Sequence, residues 1–401
     1  VEIDLLKILQ VSSISYPIYC SSGSARVAYD VSKMLAHRGH QVLLFATNRS
    51  LGMNFFPDDI ICNYNRIKMF HAHRMFSSIF DRHSIHITSY NSTLFLKKVI
   101  KTSEIIHIHD YRSLQSAVAY KFAKKYGVPF VLQAHGSLPR IMAKHRLKWI
   151  YDVFFGYKLL RDASKVIALS SMEAKQYRYM GVPEEKIEVI PNGIDLSKYG
   201  NLPSNDVFKK KFNIDEDKKI ILYLGRITHV KGINFLMKAY TYLIRNMTYN
   251  NVVLVIAGPD SGYLGTIREL ADSLKIADNV VFTGVLSENE KISAYVDSSI
   301  VVNVEPRNVF GLVPLEAVAC ATPVVVSKGN AISEVICDGK FGFSVKYGDV
   351  NELAETMGKM LTDSELLREM GQRGRRFVFG NCNWTDAVTK LEKVYEKIIN
   401  C

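Results

Sequence analysis

One feature constrains the fold more than any other: short runs of Val, Ile and Leu recur along the chain, and stretches with helical spacing of apolar residues separate them. The first half holds LLKILQVSS, QVLLFAT, IIHIHD, PFVLQAHG, KVIALS and IEVIPN; the second holds KIILYLG, VVLVIAG, NVVFTG, SIVVNV and TPVVVS. Helical stretches such as 24–38 and 113–126 lie between them. This alternation is the pattern of βαβ units, so the expected fold class is α/β, with two doubly wound parallel sheets. At 401 residues the chain exceeds the size at which one core keeps growing, and the polar, turn-rich segment 195–219 separates the two series of strands. The expected domains are 1–200 and 201–380. A closing helix, CNWTDAVTKLEKVYEKII, lies in 381–401, with Thr385 or Asn383 as its cap, and is expected to pack back on the first domain.

The chemical classes narrow next. With 48% hydrophobic and 22% charged residues the chain reads as an ordinary folded protein. No run approaches the length of uncharged residues that a membrane span needs, and VEIDLLKILQ carries Glu2, Asp4 and Lys7 where a secretory signal would be apolar. The six cysteines are scattered without a C-x-x-C pair, which argues against a zinc knuckle or a disulfide framework and for a reducing, cytoplasmic setting. Charge is uneven. Residues 1–200 carry 27 Lys and Arg against 15 Asp and Glu, while the rest balances at 24 of each. A basic first half beside a neutral second half suits an anionic partner, either a membrane surface or a phosphorylated acceptor. No nucleic-acid-binding module accompanies the charge, so nucleic acid is not expected.

Ligands of open parallel sheets bind beyond the carboxyl ends of the strands, so the loops there carry the chemistry. After the first strand, Ser21, Ser22, Gly23 and Ser24 lead into a helix whose N-terminal amides suit a phosphate, although a small-residue turn is more often purely structural. After KIILYL comes GRITHVKG, where Gly225 and Gly232 permit tight turns and Arg226 and Lys231 supply two cations suited to a diphosphate. After SIVVNV a loop with Gly311 leads into a helix through Pro314. Glu316 stands there among Leu315, Ala317, Val318 and Ala319, where a lone carboxylate is costly to bury. It reads either as a glutamate favoured by the helix dipole or as an acceptor for the vicinal hydroxyls of a ribose facing the crevice.

Taken in order, KIEVIPNGIDLSKY, GRITHVKGINFLMKAY, VVLVIAGPD, NVVFTGVLS and NVFGLVPLEAVACATPVVVS resemble the retaining glycosyltransferases of family four, and the resemblance extends over nearly the whole chain. It implies the GT-B fold, in which two Rossmann-like domains face each other across a cleft. The second domain would hold a nucleotide diphosphate sugar, UDP- or GDP-linked, and the first a glycan or lipid-linked acceptor. Carried onto this sequence, it assigns Arg226 and Lys231 to the donor diphosphate and leaving-group charge, and Glu316 to the ribose. Gly23, Gly225 and the backbone of Gly311, Leu312 and Val313 would contact phosphate or sugar, with Phe310 in the same donor loop. Val285 would lie near the base, and His135 near the transferred sugar, so that His135, Arg226 and Lys231 carry the catalysis. No protein nucleophile, cofactor or obligatory metal is implied.

Departures from the family pattern stand out. Asn308 occupies the position of a usual glutamate that contacts the transferred sugar, and Glu305 lies three residues before it. Ser21 and Ser22, and likewise Ala321, stand where glycine is common. The loss of charge at 308 keeps open a rival reading, a nucleotide-sugar-binding scaffold or regulator without activity; a phosphorylase or an epimerising enzyme on the same fold is another. Ten of the eleven histidines fall in the first half, in HAH (71–73), HSIH (83–86), HIH (107–109) and elsewhere, but no cysteine or carboxylate cluster completes a metal site. The segment 139–165 interleaves Arg140, Lys144, Arg146, Lys148, Lys158 and Arg161 with Trp149, Tyr151, Phe154, Phe155 and Tyr157. It reads as an interfacial surface for an anionic membrane, or as a core stripe with a solvated basic face.

Overall fold

The computed structural model of the chain describes residues 5–14, 23–47, 60–64, 66–72, 74–75, 87–140, 145–247, 249–306 and 311–400. The chain divides into two compact units, Val1–Gly193 with Trp384–Cys401, and Ile194–Asn383. The division falls a few residues ahead of the polar segment that the sequence marks.

The first unit is built on β1 (Lys7–Ser12), β2 (Gln41–Thr47), β3 (Ile60–Tyr64), β4 (Ile67–Ala72), β5 (Arg74–Met75), β6 (Ile87–Thr88), β7 (Ile105–His109), β8 (Phe130–Gln133), β9 (Lys165–Ala168) and β10 (Ile187–Val189). Eight of these form one sheet in the order β10-β9-β8-β7-β1-β2-β4-β3, parallel except for β3, and β5 and β6 make a small antiparallel pair. The apolar runs of the sequence become strands β1, β2, β7, β8 and β9, with β10 at one edge of the sheet. Those that the pattern does not announce are β3 and β4: Lys68 interrupts IKMFHA, and ICNY is half polar. Ser113 is not helical but caps the helix Leu114–Tyr126, its Oγ accepting from the Ser116 N–H at 3.0 Å, and Gly127 at φ 67° ends it.

The helix Trp384–Ile399 packs against Gly23–His37. Its Glu392 is buried and accepts from Arg38 Nη1 at 2.5 Å and from His40 Nε2 at 3.2 Å, while His40 Nδ1 accepts the Leu6 N–H. That last bond leaves the hydrogen of a neutral His40 on Nε2, aimed at the carboxylate.

The second unit is a six-stranded parallel sheet of β11 (Lys219–Leu224), β12 (Val252–Ala257), β13 (Val280–Gly284), β14 (Ser298–Asn303), β15 (Val324–Ser327) and β16 (Gly342–Val345), in the order β13-β12-β11-β14-β15-β16. Along β11, Ile221 and Tyr223 join a core with the helices Ile233–Asn246 and Val350–Thr362, while Ile220 and Leu222 join a separate core with Glu288–Asp297 and Leu312–Ala319. Cover on both faces is why these strands read as unbroken apolar runs. The strand order reverses between β1 and β7 in the first sheet and between β11 and β14 in the second, which are the places where crevices open in such folds.

Candidate active site

In the second unit the loop after β11 is built around its glycines. Gly225 lies at φ 155° and Gly232 at φ 73°; a Cβ on Gly232 would come within 2.3 Å of the Val304 carbonyl oxygen, so only glycine lets this loop press against the end of β14. The neighbouring loop locks on from the other side, where Ile227 N–H donates to Pro259 O at 2.9 Å and Ser261 N–H to Ile227 O at 3.0 Å. This frame presents Arg226, which is exposed, and Lys231, whose Nζ meets Glu305 Oε1 at 2.5 Å. Glu305 itself is buried, and Asn330 Nδ2 donates to its backbone carbonyl at 3.1 Å. The ion pair thus joins the loops of β11 and β14 across the switch point. Sequence reasoning named Glu305 only as a neighbour of Asn308; its pairing with Lys231 needs a contact 74 residues apart.

The helix Leu312–Ala319 has Gly311 as its N-cap and Leu312 and Val313 as its first residues, so their N–H groups have no partner within the helix. The helix stops at Ala319. Glu316 does not face an open crevice. Its side chain is 2% exposed, its Oε2 accepts from the Tyr295 hydroxyl at 2.8 Å, and Lys291 Nζ lies 3.5 Å away. A phenol and an ammonium thus offset the desolvation that makes this residue look misplaced in the sequence. Burial and the Glu316 charge hold the Tyr295 phenol far above its usual range, so it stays a donor. Val285 is 65% exposed, directly after Gly284 at the end of β13. Asn308 and Phe310 lie outside the described residues, as do Ser21 and Ser22. Gly23 begins its helix, and a Cβ there would touch nothing within 4 Å.

In the first unit, His135 follows β8 at φ 50° and Asp110 follows β7 at φ 74°. Two side-chain-bearing residues in the left-handed region beside one switch point mark stored backbone strain, a frequent property of functional loops. Ser13 Oγ, after β1, bonds Asp110 Oδ2 at 2.5 Å. His135 Nε2 lies 2.9 Å from His109 Nδ1, and His109 Nε2 lies 2.7 Å from Gln10 Oε1. His107 stacks on His109 at 4.2 Å, as alternation along a strand requires, and its Nδ1 bonds the Tyr395 hydroxyl at 2.7 Å. Burial lowers the pKa of His107 to about 3 and that of His135 to about 4, and brings His109 well below its ordinary value, so these rings are neutral at pH 7. Among the described residues no three His, Cys, Asp or Glu side chains gather as a metal-binding group; His73, His83 and His86 lie outside them.

A residue that sequence reasoning missed is Glu173. Buried at the start of the helix Ser171–Tyr179, it accepts the Gly136 N–H at 2.7 Å and the Leu169 N–H at 2.8 Å, and so clamps the peptide next to His135. Ser170-x-x-Glu173 has the spacing of a capping box, and Ser170 Oγ does accept from Glu173 N–H at 3.2 Å. The carboxylate turns to the β8 loop instead.

Comparisons with known proteins give the family. Residues 21–198 match the model of Glycosyltransferase Family 4, and residues 204–377 that of Glycosyl transferases group 1. The N-acetyl-alpha-D-glucosaminyl L-malate synthase of Bacillus anthracis is 24% identical over 98% of this chain and 97% of its own length. The alpha-maltose-1-phosphate synthase of Mycolicibacterium smegmatis is 28% identical over 78% of this chain and 84% of its own. Among solved structures, sucrose-phosphate synthase from Thermosynechococcus elongatus superposes with a TM-score of 0.80 at 20% identity, covering 98% of this chain and 99% of that one. Anabaena HepE in complex with UDP and glucose gives 0.78 at 17% identity, with the same coverage. The chain therefore belongs to the group 1 glycosyltransferases: it has the GT-B fold and transfers a glycosyl group from a nucleotide sugar.

Proposed function

We propose that the transfer retains the anomeric configuration, that the donor is UDP- or GDP-linked, and that the acceptor is a glycan or a lipid-linked saccharide at the inner face of a membrane. The observation that carries the donor assignment is the Lys231–Glu305 pair beside exposed Arg226, with two cations held at the mouth of the β11–β14 switch point. As the sugar–phosphate bond breaks, negative charge grows on the diphosphate, and fixed cations there lower the barrier without protein reorganisation. With that charge met by Arg226, Lys231 and the amides of Leu312 and Val313, the reaction needs neither a protein nucleophile nor an obligatory metal. Turnover is expected to survive chelation. HepE complexes with UDP and with UDP-glucose support a uridine donor, and a relative named as a GDP-mannose-dependent mannosyltransferase supports a guanosine one.

The membrane assignment has its own support. Within the run from His145 to Asp162, Leu147, Trp149, Ile150, Val153, Phe154, Phe155 and Tyr157 are exposed, with Trp149 at 53% and Phe154 at 63%. Arg146, Lys148, Lys158 and Arg161 stand among them. Exposed aromatics beside cations suit the headgroup region of an anionic bilayer. No helix among the described residues is long and apolar enough to cross one.

The retaining reading is tested by following donor hydrolysis by proton NMR from the first turnover. An α-linked donor should release the α-anomer first. Initial release of the β-anomer would contradict it, and absence of both hydrolysis and transfer would favour the inactive scaffold that Asn308 brings to mind.

A further inference from the structure

The first unit buries an unusual set of polar groups at its switch point. Gln10 on β1, His107 and His109 on β7 and Tyr395 on the C-terminal helix are all 0% exposed, in a core that Val and Ile could fill at less desolvation cost. Their bonds run in one direction. Gln10 presents its amide oxygen to His109 Nε2 at 2.7 Å and its amide nitrogen to the Tyr395 hydroxyl at 3.4 Å. An amide oxygen only accepts, so His109 carries its hydrogen on Nε2. Its Nδ1 then has a lone pair, and the atom facing it at 2.9 Å, His135 Nε2, must be the donor. Gln10 and His109 are both 0% exposed, so the orientation of the Gln10 amide sets the order. The nearby charge is Asp110, whose field favours protonation of His135, and burial outweighs it.

We propose that this chain, Tyr395 to Gln10 to His109 to His135, fixes the His135 ring as the Nε2–H tautomer, so that Nδ1 meets the transferred sugar solely as a hydrogen-bond acceptor. Gln10 and His109 are thereby positioning residues, and the C-terminal helix supplies the group that orients the Gln10 amide. The tautomer follows from the orientation of the Gln10 amide, with its oxygen toward His109; its consequence for the sugar rests on the role proposed for His135. A ring locked this way accepts from a sugar hydroxyl and neither delivers a proton nor offers a cation to the leaving group. It selects a donor sugar with a hydroxyl at that point over a deoxy or O-alkylated one.

The test is the two-bond proton–nitrogen spectrum of the full chain labelled with 15N-histidine at pH 7, with the His135 signals identified by their loss in His135→Asn. The expected result is a ring with hydrogen on Nε2 and a bare Nδ1. His109→Asn should keep that pattern, because the Asn amide oxygen can stand for Nδ1 as acceptor. His109→Leu and Gln10→Leu should give a mixture of tautomers or the Nδ1–H form, with melting temperature showing that each variant is folded. A wild-type ring protonated on Nδ1 would overturn the proposal, and this outcome needs no variant to fold. So would an unchanged Nε2–H ring in both folded leucine variants. Saturation with UDP-glucose or GDP-mannose should then move the bare Nδ1 resonance. A correct tautomer with an unmoved Nδ1 would overturn the sugar contact while leaving the chain of bonds standing.

Discussion

At the residue scale, the groups that decide behaviour are the buried ionisable ones whose partners lie far away in sequence. Glu173 is the clearest: burial pushes its pKa up to about 7, against the opposing pull of the Gly136 and Leu169 N–H groups. In the unfolded chain it titrates near 4.5. Below that pH both states hold the proton, and its stabilising contribution is complete. As pH rises from 4.5 through 7 the unfolded state loses its proton first, and up to about 3 kcal/mol of stability is lost. Urea titrations across pH 5–8 should therefore show a steeper fall for wild type than for Glu173→Gln, and equal slopes would contradict the assignment. Lys231 teaches a related lesson. Removing it would strip the phosphate contact proposed above and take from buried Glu305 its ion-pair partner, so Lys231→Ala should lose turnover and about 1–3 kcal/mol of stability together. Activity assays with parallel urea melts check both, and an unchanged stability would mean that the ion pair contributes nothing.

At the scale of elements, the segment after Glu316 shows how a helix end carries a cost. Ala321 sits at φ 62°, and Ala321 N–H bonds Val318 O while Thr322 N–H bonds Ala317 O, the paired bonds of a Schellman ending. Glycine has no steric penalty there, so Ala321→Gly should stabilise the second unit by about 0.5–1 kcal/mol, read as a rise in melting temperature. A fall would show that the Ala321 methyl makes packing contacts worth more than its strain. The helical run from His145 to Asp162 contains one wider π turn, Asp152–Gly156. This turn places Asp152 inward, where Arg112 grips it through two bonds of 2.8 and 2.7 Å, and sets Gly156 where a Cβ would fall 2.2 Å from the Tyr111 hydroxyl. Neither fact can be read from the aromatic and basic spacing of that stretch. The spacing does show the interleaving, and burial rules out a core stripe of these aromatics: Asp152, Leu159 and Leu160 face the core while Trp149 and Phe154 face outward.

At the scale of the whole molecule, sequence legibility follows period and locality. The eleven apolar runs became strands because a buried parallel strand needs nothing but continuous apolar residues, and the glycine-bearing loops after them could be named because strand ends are where chemistry collects. The edge strand β3, its neighbour β4 and the short β16 were not visible, since polar residues interrupt them or their residues are few. The partners of Lys231, Glu316 and His135 were hidden for another reason: each sits on a different element, and nothing local encodes the pairing. The uneven charge of the two halves remains the widest-ranging clue. Trp149→Ser with Phe154→Ser should reduce sedimentation with vesicles containing anionic phosphatidylglycerol by at least about tenfold, from the lost burial of two aromatic side chains. Equal sedimentation of variant and wild type would contradict a membrane role for this face.

Whether the second unit holds a nucleoside diphosphate on Arg226 and Lys231, as proposed above, is read by titration calorimetry of UDP and GDP into the full chain and into Arg226→Ala. Arg226 is exposed, so its removal leaves the fold intact. The expected result is binding of one of the two nucleotides to the wild type, weakened in the variant by roughly tenfold or more through loss of a charge-assisted phosphate bond. Equal affinity in both proteins would contradict it.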